Sequence, residues 1–144
     1  MKSRLLQQLE GERTFVIVME TGEEAMQQLT SFAVEQRLSA ARFTGLGAFS
    51  EVVLGFFELD EKDYLRIPVR EQVEVASLVG DIALRDETPT VHAHVVVTRP
   101  DGSAWGGHLL EGFVRPTLEI LLVESPAHLR RRYDPRTGLA LLAP

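Results

Sequence analysis

The alternation of hydrophobic and polar residues divides the chain into one helical segment and a series of strands. Residues 14–20 are β-branched and apolar, which predicts a buried strand. Thr21 and Glu24 then form a Thr-x-x-Glu capping box, in which the threonine caps the helix and the glutamate reaches back to it. Behind this box, apolar side chains recur at intervals close to 3.6 residues with polar ones opposite. We therefore predict an amphipathic helix over about 22–37.

From residue 40 onward the pattern is typical of strands. Apolar or alternating segments predict strands at 42–48, 52–59, 64–67, 73–84, 91–98, 104–110 and 118–123. Residues 127–133 and 139–142 are candidates for short terminal strands, and the ambiguous segment 3–9 favours a strand over a helix. Gly80 is the expected position of a bulge within the long strand 73–84.

One helix followed by seven or more strands predicts an α+β domain. The sheet should be mainly antiparallel, because the connections are too short for helical crossovers. No Pro/Gly/Ser-rich linker divides the 144 residues, so we expect a single domain over 1–144. A single helix covers only part of the sheet, and oligomerisation is one way to bury the remaining face.

Composition and charge narrow the classes of function. The absence of cysteine excludes disulfide scaffolds and thiolate metal sites. The net charge of −6 disfavours a nucleic-acid surface, and the tight cluster Arg130-Arg131-Arg132 is interpreted as a solvated strand end or loop. No apolar run approaches the ~20 residues of a spanning helix. The N-terminal segment lacks the apolar region of a signal peptide, so we expect a cytoplasmic protein without a membrane partner.

Three of the four histidines fall in one predicted hairpin. On a strand, His92 and His94 point to the same side, roughly 6.5–7 Å apart along the backbone. If the hairpin loop comprises residues 99–103, His94 pairs with His108. Directly opposed residues share a face, so all three imidazoles would meet.

The alternative is a tight two-residue turn at Asp101-Gly102, which would pair His94 with Leu109. His108 would then point to the opposite face. The three-histidine arrangement therefore requires an odd loop or a bulge, for which Gly106-Gly107 is suitable.

Three neutral imidazoles with an open fourth position suit Zn²⁺, and other divalent transition metals less specifically. Such a site can bind water and lower its pKa, as metal-assisted hydrolysis requires. Without a metal, the cluster could bind an anion or sense pH.

The sequence identifies no general base beside these histidines. Glu111 should face the other side of the strand unless a bulge intervenes, and Glu74 and Glu119 could approach only through tertiary pairing. We therefore assign no catalytic residue and no reaction. His128 is expected at the surface, and no phosphate loop or other motif for an organic cofactor is recognised.

Several short motifs follow one another along the chain in a specific order. They are Gly22-Glu23-Glu24, Phe43-Thr44-Gly45-Leu46-Gly47-Ala48, Glu74 to Gly80, Pro89 to His94, and Asp101-Gly102 to Gly106-Gly107-His108-Leu109. In this order they resemble the motifs of the PPC (plants and prokaryotes conserved) domain family, and the resemblance covers nearly the whole chain.

The resemblance implies an α+β domain with a mainly antiparallel sheet that assembles as a homotrimer. In prokaryotic members, the His-x-His and Gly-Gly-His residues resemble a metal site, with zinc as the expected ion. These residues correspond to His92, His94 and His108. Plant members join the domain to AT-hook motifs, and bacterial relatives carry a DNA-binding label. This chain contains no Arg-Gly-Arg-Pro core, and Glu71-Gln72-Val73 replaces the plant Gly-Arg-Phe.

Three hypotheses about function follow. The first is a homotrimeric PPC-domain protein with a three-histidine zinc site and a non-enzymatic binding or regulatory role. The second is a small metal-dependent enzyme that uses the same site, acting on a small molecule that the sequence does not identify. The third is a DNA-binding transcriptional regulator, which the net charge of −6 and the missing AT-hook disfavour.

Overall fold

The structure, a computed structural model, describes residues 1–143 and consists mainly of strands with one helix. The elements are β1 (Lys2–Leu9), β2 (Glu12–Glu20), α1 (Ala25–Glu35), β3 (Ala40–Glu58), β4 (Asp63–Val69), β5 (Val73–Arg85), β6 (Thr88–Thr98), β7 (Ala104–Glu124), β8 (Arg130–Asp134) and β9 (Leu139–Ala143). The predicted α+β class and the terminal strands are confirmed. No helix within this range is long and apolar enough to cross a membrane.

Two predicted breaks between strands are wrong. Segments 42–48 and 52–59 are parts of the continuous strand β3, and segments 104–110 and 118–123 are parts of β7. The register between β3 and β7 shifts at three places, which is the signature of bulges. Bulges let a long strand bend without interrupting its pairing, so the residues between the predicted segments lie within β3 and β7.

The four strands β3, β5, β6 and β7 form a closed circuit of antiparallel pairing. β2 adds to β7, with β1 beyond it, and β4 adds to β3. The C-terminal hairpin β8–β9 is attached to β5 by one parallel bridge, Leu84 to Arg130. Because a closed circuit has an inner and an outer face, alternate residues of each strand face the core or the outside.

The inner face packs against the apolar stripe of α1. Leu29 and Phe32 of the helix are fully buried, and the Phe32 ring meets the Phe15 ring of β2 edge-on with centroids 5.2 Å apart. The outer face carries a row of directly opposed residues that runs across five strands. This outer row comprises Val16, Leu121, Thr44, Val79, His94 and His108. The histidines thus lie on the face away from the helix.

The helix is capped by Glu24 and begins at Ala25, so the predicted threonine cap is wrong. The Glu24 carboxylate accepts hydrogen bonds from the backbone N–H groups of Met26 (3.1 Å) and Gln27 (2.7 Å). Thr21 instead donates its hydroxyl to the carbonyl of Pro116. Residues 22–23 are held by backbone hydrogen bonds to Val114 of β7, so they are unavailable for a first helical turn.

Gly80 is not a bulge, because the register of β5 against β6 shifts between Val75 and Ser77 instead. A Cβ atom at Gly80 would lie 2.2 Å from the Phe43 ring and 2.5 Å from the carbonyl oxygen of His92. The glycine therefore allows the Phe43 ring to pack directly against the β5–β6 pair.

We expect Glu24→Ala to lower the free energy of unfolding by about 2 kcal/mol. The substitution removes the helix cap and leaves the N–H of Gly112, which donates to Glu24 over 2.9 Å, without its partner. Thr21→Ala, at the position indicated by the sequence pattern, should cost less than about 1 kcal/mol. Urea denaturation of both variants measures the difference, and a larger effect at Thr21 would contradict this assignment of the cap.

Candidate metal centre

The hairpin β6–β7 brings the three predicted histidines together. Its loop comprises residues 99–103, and backbone hydrogen bonds between Arg99 and Ser103 (2.9 Å) and between Gly102 and Arg99 (2.9 Å) close it. Thr98 therefore pairs with Ala104, and His94 pairs with His108. This is the first of the two predicted registers, and the odd five-residue loop produces it without a bulge at the glycines.

The three imidazoles form a compact cluster on the outer face. One ring nitrogen of each of His92, His94 and His108 lies within 4.8 Å of those of the other two. The ring centroids are 5.1 Å apart for His92 and both partners, and 5.5 Å apart for His94 and His108. His92 and His94 share a face of β6, and His108 opposes them from β7.

Burial keeps two of these imidazoles in the neutral form. Desolvation lowers the pKa of His108 to about 4, with further lowering by His92 and His94. Desolvation also lowers the pKa of His94. The Nδ1 atom of His108 is buried and has no hydrogen-bond partner among residues 1–143. A neutral imidazole is the form that ligates metal ions.

Gly55 and Tyr64 shape the side of the cluster next to β3. Gly55 lies opposite His108 in the β3–β7 pair. A Cβ atom at Gly55 would approach the Tyr64 ring to 2.8 Å, so a larger residue there would displace the tyrosine. The Tyr64 ring instead packs beside His108, with centroids 4.7 Å apart.

Asp81 is a site residue that the sequence analysis missed. It lies opposite His92 in the β5–β6 pair, and its Oδ2 atom is 3.6 Å from Nδ1 of His92. The register of this second hairpin could have identified it, since opposed residues share a face.

The carboxylates considered from the sequence do not belong to the group of side chains that could hold a metal ion. Glu111 forms an ion pair with Arg66. Glu74 lies opposite Thr98 at the far end of β6, and Glu119 lies opposite Leu46. Asp81 is thus the carboxylate that the strand pairing places beside the histidines.

Arg131 is a second site residue, and its interpretation as a solvated arginine is wrong. Its side chain is only 8% exposed. It donates hydrogen bonds to Oδ1 of Asp81 over 2.5 Å and to the carbonyl of Ala140 over 3.2 Å. The interpretation holds for the neighbours, because Arg130 pairs with Glu87 at the surface and Arg132 is exposed. Alternate residues of β8 face opposite sides, so only the middle arginine reaches the site.

Burial by itself would raise the pKa of Asp81, but the interactions with His92 and Arg131 outweigh it and hold the pKa below its usual value. The carboxylate is therefore ionised at neutral pH. It can orient His92 through Nδ1 and leave Nε2 for another partner.

A pocket of about 160 Å³ opens beside the cluster. Its polar lining comes from several elements of the sheet and the C-terminal hairpin, namely Tyr64, Thr90, His92, His108 and Arg131. Residues 139–141 of β9 add a mainly apolar wall. His128 lies outside the cluster at the surface, as predicted, with Nδ1 2.6 Å from the hydroxyl of Ser39.

The chain matches the Plants and Prokaryotes Conserved (PCC) domain over residues 6–126. Among curated proteins, the bifunctional protein GlmU of a Synechococcus strain is 32% identical over 129 residues. These residues are 88% of this chain and 20% of the relative, so the chain spans about a fifth of the curated relatives it matches.

Three solved structures are similar over nearly the full chain. A plant- and prokaryote-conserved protein of Pyrococcus horikoshii is 33% identical, covers 92% of both chains and has a TM-score of 0.86. A candidate DNA-binding protein of Bacteroides thetaiotaomicron is 28% identical, with 95% and 94% covered and a TM-score of 0.86. A metal-containing protein of Archaeoglobus fulgidus is 26% identical, with 99% and 97% covered and a TM-score of 0.84.

We expect Arg131→Met to lower the free energy of unfolding by about 2 kcal/mol, because it leaves the partly buried Asp81 carboxylate without its cation. Arg130→Met is the matched control on the same strand. It removes a surface pair with Glu87 and should cost less than about 1 kcal/mol. Urea denaturation measures the free energy of unfolding of the two variants. Equal losses would show that the Arg131–Asp81 pair stabilises the protein no more than the surface pair Arg130–Glu87.

Proposed function

The chain belongs to the Plants and Prokaryotes Conserved domain family, and we propose that it is a homotrimeric zinc-binding module with a binding or regulatory role. The observation that carries the proposal is the cluster of His92, His94 and His108, whose ring nitrogens lie within 4.8 Å of one another. Three imidazoles and no thiolate are a donor set that suits zinc, with other divalent transition metals as weaker candidates.

The residues around the cluster fit a bound metal ion. The buried and unpartnered Nδ1 of His108 is an atom that a ligand or ion would satisfy. Asp81 next to Nδ1 of His92 matches the carboxylate that commonly orients a metal-ligating histidine. When held by these imidazoles, zinc would supply a Lewis acid at the edge of the pocket. A similar protein from Archaeoglobus fulgidus is described as metal-containing, which supports the same assignment here.

The carboxylate beside the histidines favours binding over acid–base catalysis. An effective general base needs a pKa near the working pH. Asp81 has a lowered pKa and is already hydrogen-bonded to Arg131, so it is poorly suited to accept a proton. A metal-dependent enzyme is therefore the second hypothesis, and no reaction is assigned to it.

The outer face supports the homotrimer that the family resemblance implies. Leu46, Val79 and Leu121 are 63%, 49% and 53% exposed. They line a mainly apolar groove of about 500 Å³ across the central strands, together with Val16 and Ala76. Thr44, Ser77 and Glu119 are its polar lining residues. An apolar groove of this extent is typical of an interface, and we propose that neighbouring copies of this chain cover it.

The similar protein of Bacteroides thetaiotaomicron is described as a candidate DNA-binding protein. In this chain, many arginines lie in ion pairs with carboxylates, which lowers the positive field available to phosphates. These pairs are Arg13–Glu124, Arg66–Glu111, Arg99–Glu71, Arg130–Glu87, Arg131–Asp81 and Arg136–Asp134. With a net charge of −6, we rank DNA binding below metal binding.

We expect the purified protein to contain about one zinc ion per chain, since three imidazoles form one site. His92→Ala and His108→Ala should each lose most of this zinc, whereas His128→Ala, at the surface, should retain it. Elemental analysis after dialysis against metal-free buffer measures the content. Equal zinc in wild type and all three variants would exclude the site.

We expect light scattering to give a particle mass near three times the 16.1 kDa of one chain at micromolar concentration. Leu121→Glu adds a second carboxylate to the groove that Glu119 already lines, and it should shift the mass toward the monomer, because burying an unpaired charge is costly. Leu59→Glu is the control, since Leu59 is 58% exposed outside the groove. A monomeric wild type would contradict the assembly, and an unchanged mass for Leu121→Glu would exclude this face as the interface.

A further inference from the structure

We propose that the pocket beside the histidines binds a small organic carboxylate, and that Arg131 is the residue that recognises its charge. This inference deepens the proposed function by naming a class of ligand for the same site. It rests on the proposed function in one respect, because a bound metal ion would increase the affinity of the pocket for the carboxylate.

Arg131 has hydrogen-bonding capacity that the protein does not use. A guanidinium carries five N–H donors. The structure assigns one terminal nitrogen to Asp81 and the other to the carbonyl of Ala140, while Nε is buried and has no partner among residues 1–143. A buried donor without a partner costs free energy, and an acceptor that enters the pocket would recover it.

The lining of the pocket selects the type of ligand. The guanidinium is planar, and its fork of donors matches the geometry of a carboxylate. Tyr64 also lines the pocket, whereas the Thr90 hydroxyl already donates to the carbonyl of Thr88. Leu139 and Leu141 add apolar surface suited to a short carbon skeleton. The volume of about 160 Å³ is below the ~300 Å³ at which pockets for drug-sized ligands begin, so the ligand is small.

The charge balance of the site also favours an anion. Asp81 and Arg131 neutralise each other across their hydrogen bond. The histidines are uncharged when they ligate a metal, so a divalent ion would leave the site with an uncompensated positive charge. A carboxylate that enters from the pocket would reduce this charge.

The hairpin that supplies Arg131 lies outside the part of the chain that defines the family match. The match covers residues 6–126, whereas Arg131 and the apolar wall belong to β8 and β9. Lys62 donates a hydrogen bond to the carbonyl of Pro135 over 2.6 Å, and Arg130 pairs with Glu87, which hold this hairpin against the sheet. Arg131 and the apolar wall of the pocket are therefore contributed by residues that follow the matched range.

The test is a calorimetric titration of the full chain with malonate, performed on zinc-loaded and on zinc-free protein. We expect wild type to bind malonate at least about tenfold more tightly than the neutral isostere malonamide or inorganic phosphate. Arg131→Lys keeps a cation beside Asp81 but removes the planar, paired N–H donors of the guanidinium. It should therefore weaken malonate binding at least about tenfold. Arg132→Lys, the exposed neighbour, should bind malonate as wild type does.

Zinc content, measured separately on the same samples, distinguishes the two proposals. Normal zinc with equal malonate affinity in wild type and Arg131→Lys would overturn the role of Arg131. Equal affinity of wild type for malonate and malonamide, or tighter binding of phosphate than of malonate, would overturn the assignment of a carboxylate ligand. A wild type without zinc would contradict the proposed function, yet Arg131-dependent malonate binding to that protein would still support the carboxylate site.

A second measurement covers the case in which Arg131→Lys does not fold. In wild-type protein, the Nε–H resonance of Arg131 should shift on addition of malonate and stay unchanged with malonamide. Absence of a shift at saturating malonate would overturn the inference without any variant.

Discussion

The pairing of His94 with His108 is the constraint on which the site depends. The five-residue loop 99–103 sets this register, and the same register places Val95, Val97 and Leu109 in the core. A slip of one residue would turn His108 toward the core and bring Leu109 to the surface. The free energy of burying the apolar face of the hairpin therefore also holds the imidazoles together, so the cluster is formed by the fold itself.

Two further pairings complete the site around this hairpin. The β5–β6 register places Asp81 opposite His92, and the attachment of β8 to β5 brings Arg131 to Asp81. The absence of a side chain at Gly55 allows Tyr64 to pack beside His108. Each contribution comes from a different element, and all of them meet on the outer face, which the helix does not cover.

The sequence predicts those parts of the structure that depend on local periodicity. The stripe of α1, the strands and the shared face of His92 and His94 all follow from repeats of 3.6 or 2 residues. To predict the contact with His108, one must also know the number of residues in the hairpin loop. Local patterns thus account for the fold class and for the shared face of His92 and His94.

Features set by pairing between distant segments could not be predicted in this way. Thr21 matches a capping box, but hydrogen bonds between residues 22–23 and Val114 move the cap to Glu24. Arg131 belongs to a basic cluster typical of a solvated segment, and only the position of β8 shows that it is buried. Asp81 lies 11 residues before His92, and the hairpin register alone makes them neighbours.

The register of one hairpin brings the three imidazoles together, and we propose that it thereby creates a metal site. Anomalous diffraction at the zinc absorption edge, from crystals of zinc-loaded protein, tests this most directly. We expect one anomalous peak per chain, about 2.0–2.1 Å from a ring nitrogen of each of His92, His94 and His108. Anomalous density elsewhere on the chain, with none between these three imidazoles, would contradict the account.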